Sequence, residues 1–377
     1  MIRIDEIYNN TFWPWFAEHC PGTRVFFCDP FGHTDSEHLF NLGSDSIIEN
    51  DYVYMHDQEP VHLDLHESLF NEVKLRNLDI GWHSEGDQWV QQSANPKGHV
   101  IVSERGEYVD ALEQKYGWTT HYYFFHGWAA QDWFRGYDKT FLIARARDRQ
   151  PTKTFMSPNR IVAGKRDHRV LFLYNVFKHG LEDNHISAPR TCQYEGVDIS
   201  TIASKYINIY PDICQTLDQA ELPRLFANEP EQLMSSCTLT NFKEAEDSLI
   251  YVATETVYSG RRTHITEKTF KAIALEMPFV LVAPAHSLAY LREYGFRTFA
   301  PYIDESYDLI EDPIDRIEAV TLILSEIQAR SAAARQQLWT DLLPRVEHNY
   351  RHFYRGGFSD RLWQELTDML AEFKPNV

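Results

Sequence analysis

The segment Thr263-His264-Ile265-Thr266-Glu267-Lys268-Thr269-Phe270-Lys271-Ala272-Ile273-Ala274, preceded by Tyr251-Val252-Ala253-Thr254-Glu255, gathers residues able to hold an anion and a polyol. Thr266 is a suitable N-cap for a helix whose apolar face is Phe270, Ile273, Ala274 and Met277. The first amides of such a helix are unpaired and its dipole is positive there, so the N-terminus attracts anions. Lys268 in the first turn opposes the usual acidic preference of that position, which fits an anionic ligand such as a diphosphate facing it. Glu255, following a strand, and Glu267 are placed to accept hydrogen bonds from sugar hydroxyls. The same residues also read as an ordinary capped helix, with Glu267 answering the dipole and Lys268 solvated.

A second group of polar residues falls at the ends of apolar runs in the N-terminal half. Arg24 to Cys28 stops at Asp29-Pro30, Tyr52 to Met55 at His56-Asp57-Gln58-Glu59-Pro60, and Ile80 to Trp82 at His83-Ser84-Glu85. Val100 to Val102 stops at Ser103-Glu104-Arg105-Gly106, and Tyr122 to Phe125 at His126-Gly127. Ligands of open parallel sheets bind outside the carboxyl ends of the strands, which makes these residues the expected lining of a site; they read equally as loop and cap residues. Glu59, Glu85 and Asp57, with Asp87 behind them, form the pool of carboxylates for taking a proton from a substrate hydroxyl. His126 has two readings, a group approaching a sugar or diphosphate and a satisfied core histidine. His62-x-Asp64-x-His66 would share one face of a strand, a weak metal pattern that a half-exposed strand also produces.

The elements that must position these residues follow a β/α rhythm of short apolar runs and longer amphipathic segments. A basic, poorly periodic stretch including Arg145, Arg147, Arg149, Lys153, Arg160, Lys165, Arg166 and Arg169, with Pro151 and Pro158, reads as a domain junction. The rhythm resumes with strands expected at Val170 to Tyr174, Leu249 to Ala253 and Phe279 to Ala283. The last is a continuous apolar run between Pro278 and Pro284, as in a buried parallel strand. Ser287 to Tyr294 is helical with Gly295 as its stop, and helices fill the tail from Asp315.

The chain has 377 residues, beyond the roughly 250–300 at which one core stops growing, so two domains are expected. Lys and Arg number 36 against 55 Asp and Glu, a net charge of −19 that disfavours a generally basic nucleic-acid binder. Five scattered cysteines without a C-x-x-C pair, and no secretory N-terminal pattern, point to a reducing cytoplasm. No apolar stretch reaches the roughly 18 residues of a membrane span. P-loop, dinucleotide-fingerprint and serine-hydrolase motifs are absent.

Glu255, then Ile265-Thr266-Glu267-Lys268 opening a helix, then a proline-bounded strand and Pro284, resembles the donor-binding half of GT-B glycosyltransferases, most closely the fucosyltransferase type. The resemblance spans about Arg169 to Tyr302, and its sharp part is short. It implies an α/β architecture of two doubly wound Rossmann-like domains facing a cleft. The expected divisions are 1–144 as acceptor-side domain, 145–168 as basic junction, 169–335 as nucleotide-sugar domain, and 336–377 as C-terminal helices crossing back. It implies that Glu255 and Glu267 contact sugar or ribose hydroxyls, that Lys268 contacts phosphate, and that Arg160 or Arg169 neutralises the diphosphate. The expected activity is transfer of a sugar from a nucleotide-sugar donor to a hydroxyl acceptor, inverting and metal-independent, with no cofactor and a nucleoside diphosphate as product. The absence of Asp-x-Asp agrees with that reading. A glycan is the favoured acceptor. DNA, met by the basic cluster as in viral base-modifying glycosyltransferases, and a non-catalytic nucleotide- or glycan-binding module are the alternatives.

Overall fold

The computed structural model describes residues 3–20, 24–27, 52–61, 82–85, 88–91, 98–116, 118–137, 148–162, 164–192, 195–226 and 238–373. The chain is mixed α/β and divides into two compact units. The first comprises residues 1–132 and 360–377, the second residues 133–359. The sequence reading divides the chain into 1–144, a junction 145–168, 169–335 and 336–377. The helix Gly357–Glu372 begins in the second unit, and its residues from Asp360 onward belong to the first.

In the first unit, β1 (Arg24–Phe27), β2 (Tyr52–His56), β5 (Gly98–Val102) and β7 (Thr119–Tyr122) form one parallel sheet in the order β1-β2-β5-β7. Val53, Met55, Val100, Ile101 and Val102 are buried in it. The C-terminal helix brings Phe373 against this unit: its ring packs edge-on to Trp15 and Phe16 and tilted against His99 and His121. Trp128 and Trp363 meet in a T-shaped pair at 4.8 Å, and Arg105 pairs with Glu365 at 3.2 Å.

Glu85 does not follow a strand of that sheet. It ends β3 (Trp82–Glu85), which pairs antiparallel with β4 (Gln88–Gln91) in a separate two-stranded hairpin. Two runs separated only by Gly86-Asp87 are a short-range hairpin signal, which outweighs the β/α reading of Ile80 to Trp82. Strand Tyr122 to Phe125 is likewise displaced. β7 ends at Tyr122, and Phe125 opens the helix Phe125–Trp133. Each unit also carries a two-residue strand, β6 (Arg105–Gly106) in the first and β11 (Arg262–Thr263) in the second.

The second unit is built on β8 (Lys153–Pro158), β9 (His185–Ser187), β10 (Ser248–Thr254) and β12 (Phe279–Val282), all parallel, in the order β12-β10-β8-β9. Every residue of β10 and β12 is buried, which explains their continuous apolar runs. Two corrections to the sequence reading fall here. β8 lies inside 145–168, where a basic junction is expected. Its apolar core is only Phe155-Met156, hidden among basic residues and prolines. Val170 to Tyr174, expected as a strand, belongs to the helix His168–Lys178. That helix is buried continuously from His168 to Val176, so it carries no polar stripe and its periodicity is erased.

The strand order reverses direction at β8 and β10. From β8 the chain moves outward to β9 through the helix His168–Lys178, and from β10 it moves the other way to β12 through the helix Glu267–Ala274. Right-handed crossovers running in opposite directions put the two helices on opposite faces, which makes the carboxyl ends of β8 and β10 a topological switch point. The apolar stripe of the second helix is used as expected: Phe270 stacks with Phe353 and Phe358 at 5.7 and 5.3 Å. No helix among the described residues is long and apolar enough to cross a membrane.

Candidate functional site

Glu255 leaves β10 at this switch point and is fully buried. Its carboxylate accepts hydrogen bonds from the Thr266 amide (3.3 Å), the Thr266 hydroxyl (2.5 Å) and the Thr269 hydroxyl (2.6 Å). These donors belong to the cap and first turn of the helix Glu267–Ala274, so the acid braces the helix N-terminus against the strand end. Thr266 is the N-cap, and its side chain accepts from the Lys268 amide at 3.5 Å.

Lys268, partly exposed, folds back over this N-terminus. Its Nζ donates to Glu267 Oε1 (2.9 Å), Thr256 Oγ1 (3.1 Å) and Thr266 Oγ1 (3.1 Å). A cation is unfavourable beside the positive end of a helix dipole, and the buried Glu267 carboxylate offsets it.

The neighbouring strand end is a polar network. Thr254 Oγ1 donates to Asn159 Oδ1 at 2.8 Å, and Asn159 Nδ2 donates to Ser157 Oγ at 3.0 Å. Arg169 lies beneath, buried, and donates to the carbonyls of Ile161 (2.7 Å), Thr254 (2.8 Å) and Glu255 (3.2 Å). His168 Nε2 donates to the same Glu255 carbonyl at 3.1 Å and stacks on Tyr258. Burial, assisted by Arg166, pulls the Arg169 guanidinium down to about 10, which leaves it protonated at neutral pH. Arg169 is thus a clamp that ties the ends of β8 and β10 to the buried helix. Arg160 lies half-buried in the loop leaving β8.

Glu255, Glu267, Lys268, Arg160 and Arg169 therefore come together around the carboxyl ends of β8 and β10. They combine two carboxylates with three cations and a helix N-terminus, a locally positive balance in an acidic chain. Sequence reasoning missed Asn159, Thr254, Thr256 and His168. The Thr-Glu-Thr run at 254–256 and the Pro158-Asn159 end of β8 were the available signals.

The remaining expected residues lie in the first unit. Asp57, at the carboxyl end of β2, is buried and accepts a hydrogen bond from the Tyr8 hydroxyl. Burial, with the Asp57 charge next, holds the Tyr8 hydroxyl well above its usual range. Glu59, two residues on, is half-buried. Val61 donates its amide to the buried Glu104 at 3.0 Å, which ties the ends of β2 and β5. His126 is buried in the first turn of the helix Phe125–Trp133, with its ring edge-on to Phe125. Glu85 ends a strand of the two-stranded hairpin. Asp87 and the His62-Asp64-His66 pattern lie outside the described residues. Among those described, no three His, Cys, Asp or Glu side chains gather to hold a metal ion.

No protein-family profile and no curated protein matches the chain. Among solved structures, a trehalose-6-phosphate synthase (OtsA) aligns over 90% of this chain and 70% of its own, at 15% identity and a TM-score of 0.40. At that score the likeness assigns neither family nor activity, and the functional reading rests on this chain's own residues.

Proposed function

We propose that the chain is a glycosyltransferase that moves a sugar from a nucleotide-sugar donor to a hydroxyl acceptor, with inversion and without a metal ion. The observation that carries this reading is the switch point between β8 and β10, where a helix N-terminus braced by Glu255 and bearing Lys268 stands beside the Asn159-Arg160 strand end. Such a place takes an anionic ligand with a polar rim, and a nucleoside diphosphate carrying a sugar is that kind of ligand.

In this reading the positive end of the helix, Lys268 and Arg160 meet the charge that develops on the departing diphosphate. Lys268 exchanges its contact with Glu267 for a phosphate oxygen, and Glu267 becomes available to a sugar or ribose hydroxyl. Glu255 and Arg169 act as positioning residues, since both are already engaged within the protein. The acceptor oxygen attacks the anomeric carbon from the face opposite the diphosphate. A carboxylate then takes its proton, and Glu59 is the candidate because it keeps exposure that Asp57 lacks. A glycan hydroxyl is the favoured acceptor.

The test is a thermal-shift panel of GDP, UDP, CMP, dTDP and ADP with their common sugar conjugates, in EDTA. One nucleotide at about a hundred times its dissociation constant should stabilise by roughly 2.7 kcal/mol. No response to any nucleotide, with or without a glycan acceptor mixture, would overturn the donor-site reading.

A further inference from the structure

The helix Glu267–Ala274 ends as deliberately as it begins. The amides of Glu276 and Met277 bond back to the carbonyls of Ile273 (3.1 Å) and Ala272 (2.9 Å), a closure that puts Glu276 in the left-handed region at φ +53°. Glycine ordinarily fills that position, because a Cβ is strained there. A long acidic side chain stands here instead, and it turns inward. Glu276 is 2% exposed, and its Oε1 has no hydrogen-bond partner among the described residues. A buried carboxyl in that state is far easier to keep neutral than ionised.

The cation facing it among the described residues is committed elsewhere. Arg149, itself buried, donates to the carbonyls of Leu275 (3.3 Å) and Glu276 (3.4 Å), capping the helix end, while its guanidinium lies 5.1 Å over the Trp339 ring. Gln336 of the helix Ala332–Tyr354 holds the Arg149 carbonyl at 3.2 Å. Among the described residues, the helix's own last turn carries the basic Lys271, and two acids act on the Glu276–Arg149 pair. Glu347 of the same long helix acts on Glu276, and Glu246 of the helix Phe242–Asp247 acts on Arg149. Burial pushes the Glu276 carboxyl up to about 7, with Arg149 opposing and Glu347 adding to the rise. Arg149, pulled down by burial to about 10, remains charged when Glu276 titrates.

We propose that Glu276 is a proton-operated latch on the foot of the helix that presents Glu267 and Lys268: neutral, its carboxyl stays packed beneath the Arg149 cap, and ionised, it swings out of the core and loosens the last turn. The proposal concerns the conformation of the helix and does not depend on what the helix binds. Its sign follows from linkage. The folded chain holds the Glu276 proton more tightly than the unfolded chain, so this residue's contribution to stability is full in acid and falls as pH rises from the ordinary carboxylate range through about 7.

The test compares the full-length wild type with Glu276→Gln from pH 5 to 8.5, by calorimetric Tm and by hydrogen exchange of the amides from Ile273 to Met277. The latch predicts matching Tm values at the acid end and a Gln variant several degrees higher at the alkaline end, with protection factors at the helix foot falling with pH only in the wild type. Parallel Tm curves, with the same protection factors at both ends of the range, would overturn it. If the Gln variant fails to fold, the carboxyl carbon of Glu276 in the wild type decides by NMR titration: a midpoint near 7 supports the latch, and an ordinary carboxylate midpoint removes it.

Discussion

Replacing Glu255 by glutamine separates a structural brace from a ligand contact, because the two roles predict opposite balances of stability and binding. The carboxylate accepts three hydrogen bonds from Thr266 and Thr269, and the residue is fully buried. Hydrogen bonds to a charged group contribute about 1.5–3 kcal/mol against about 0.5–1.5 for neutral pairs, so neutralising the acceptor weakens each by about 1 kcal/mol. Loss of the charge beside the helix N-terminus removes about 0.3–1 kcal/mol more. The sum is about 3–4 kcal/mol, and at roughly 2–4 °C per kcal/mol the midpoint should fall by about 6–15 °C. Urea denaturation of the two proteins at neutral pH measures the difference directly, and calorimetry with the best nucleotide measures binding. The brace predicts a large stability loss with nucleotide affinity falling only a few-fold. A variant as stable as the wild type that has lost nucleotide binding would refute it and make Glu255 a ligand contact, as the resemblance to fucosyltransferases implies.

Three further outcomes are expected from the same geometry. Lys268→Ala should weaken nucleoside diphosphate binding by about 1.5–3 kcal/mol, roughly 10- to 150-fold in calorimetry, with little change in Tm. Glu59→Gln should lower turnover while leaving donor affinity unchanged, and an unchanged rate would move the base elsewhere. His121 carries the pH prediction for the first unit. Its ring lies 3.0 Å from His99 and packs on Phe373, and burial, with His99 adding, pulls it down to about 4. A folded-state value below the unfolded one means stability is full above pH 6.5 and lost as pH falls toward about 4. His121→Gln should flatten that acid limb, which equilibrium denaturation across pH 4–7 would show.

Much of the second unit was legible because its signals were local. Pro278 and Pro284 fenced β12, Thr266 announced the helix cap, and Phe270, Ile273 and Ala274 kept helical spacing. What misled were segments whose burial erased their period. Val170 to Tyr174 is apolar on every side, so its helix looks like a core strand, and β8 shows only two apolar residues between charges. The hairpin of Glu85 was written in Gly86-Asp87 but lost to the longer β/α pattern. At the site, residue types were readable and their partners were not. Glu255 and Arg169 look alike in sequence whether they face a ligand or brace the fold, and only the contacts with Thr266, Thr269 and the strand-end carbonyls separate the two. Glu276 illustrates the same limit, since an acid beside Met277 gives no hint of a left-handed, inward-turned side chain.

Hydrogen exchange of the full chain with and without the nucleotide that gives the largest thermal shift is the most direct test of where the donor sits. Protection concentrated in residues 157–161, 254–257 and 264–270 is the predicted result, and it should disappear in Lys268→Ala. Protection confined to other segments, or equal protection in the Lys268 variant, would contradict the assignment of the β8 and β10 carboxyl ends as the donor site.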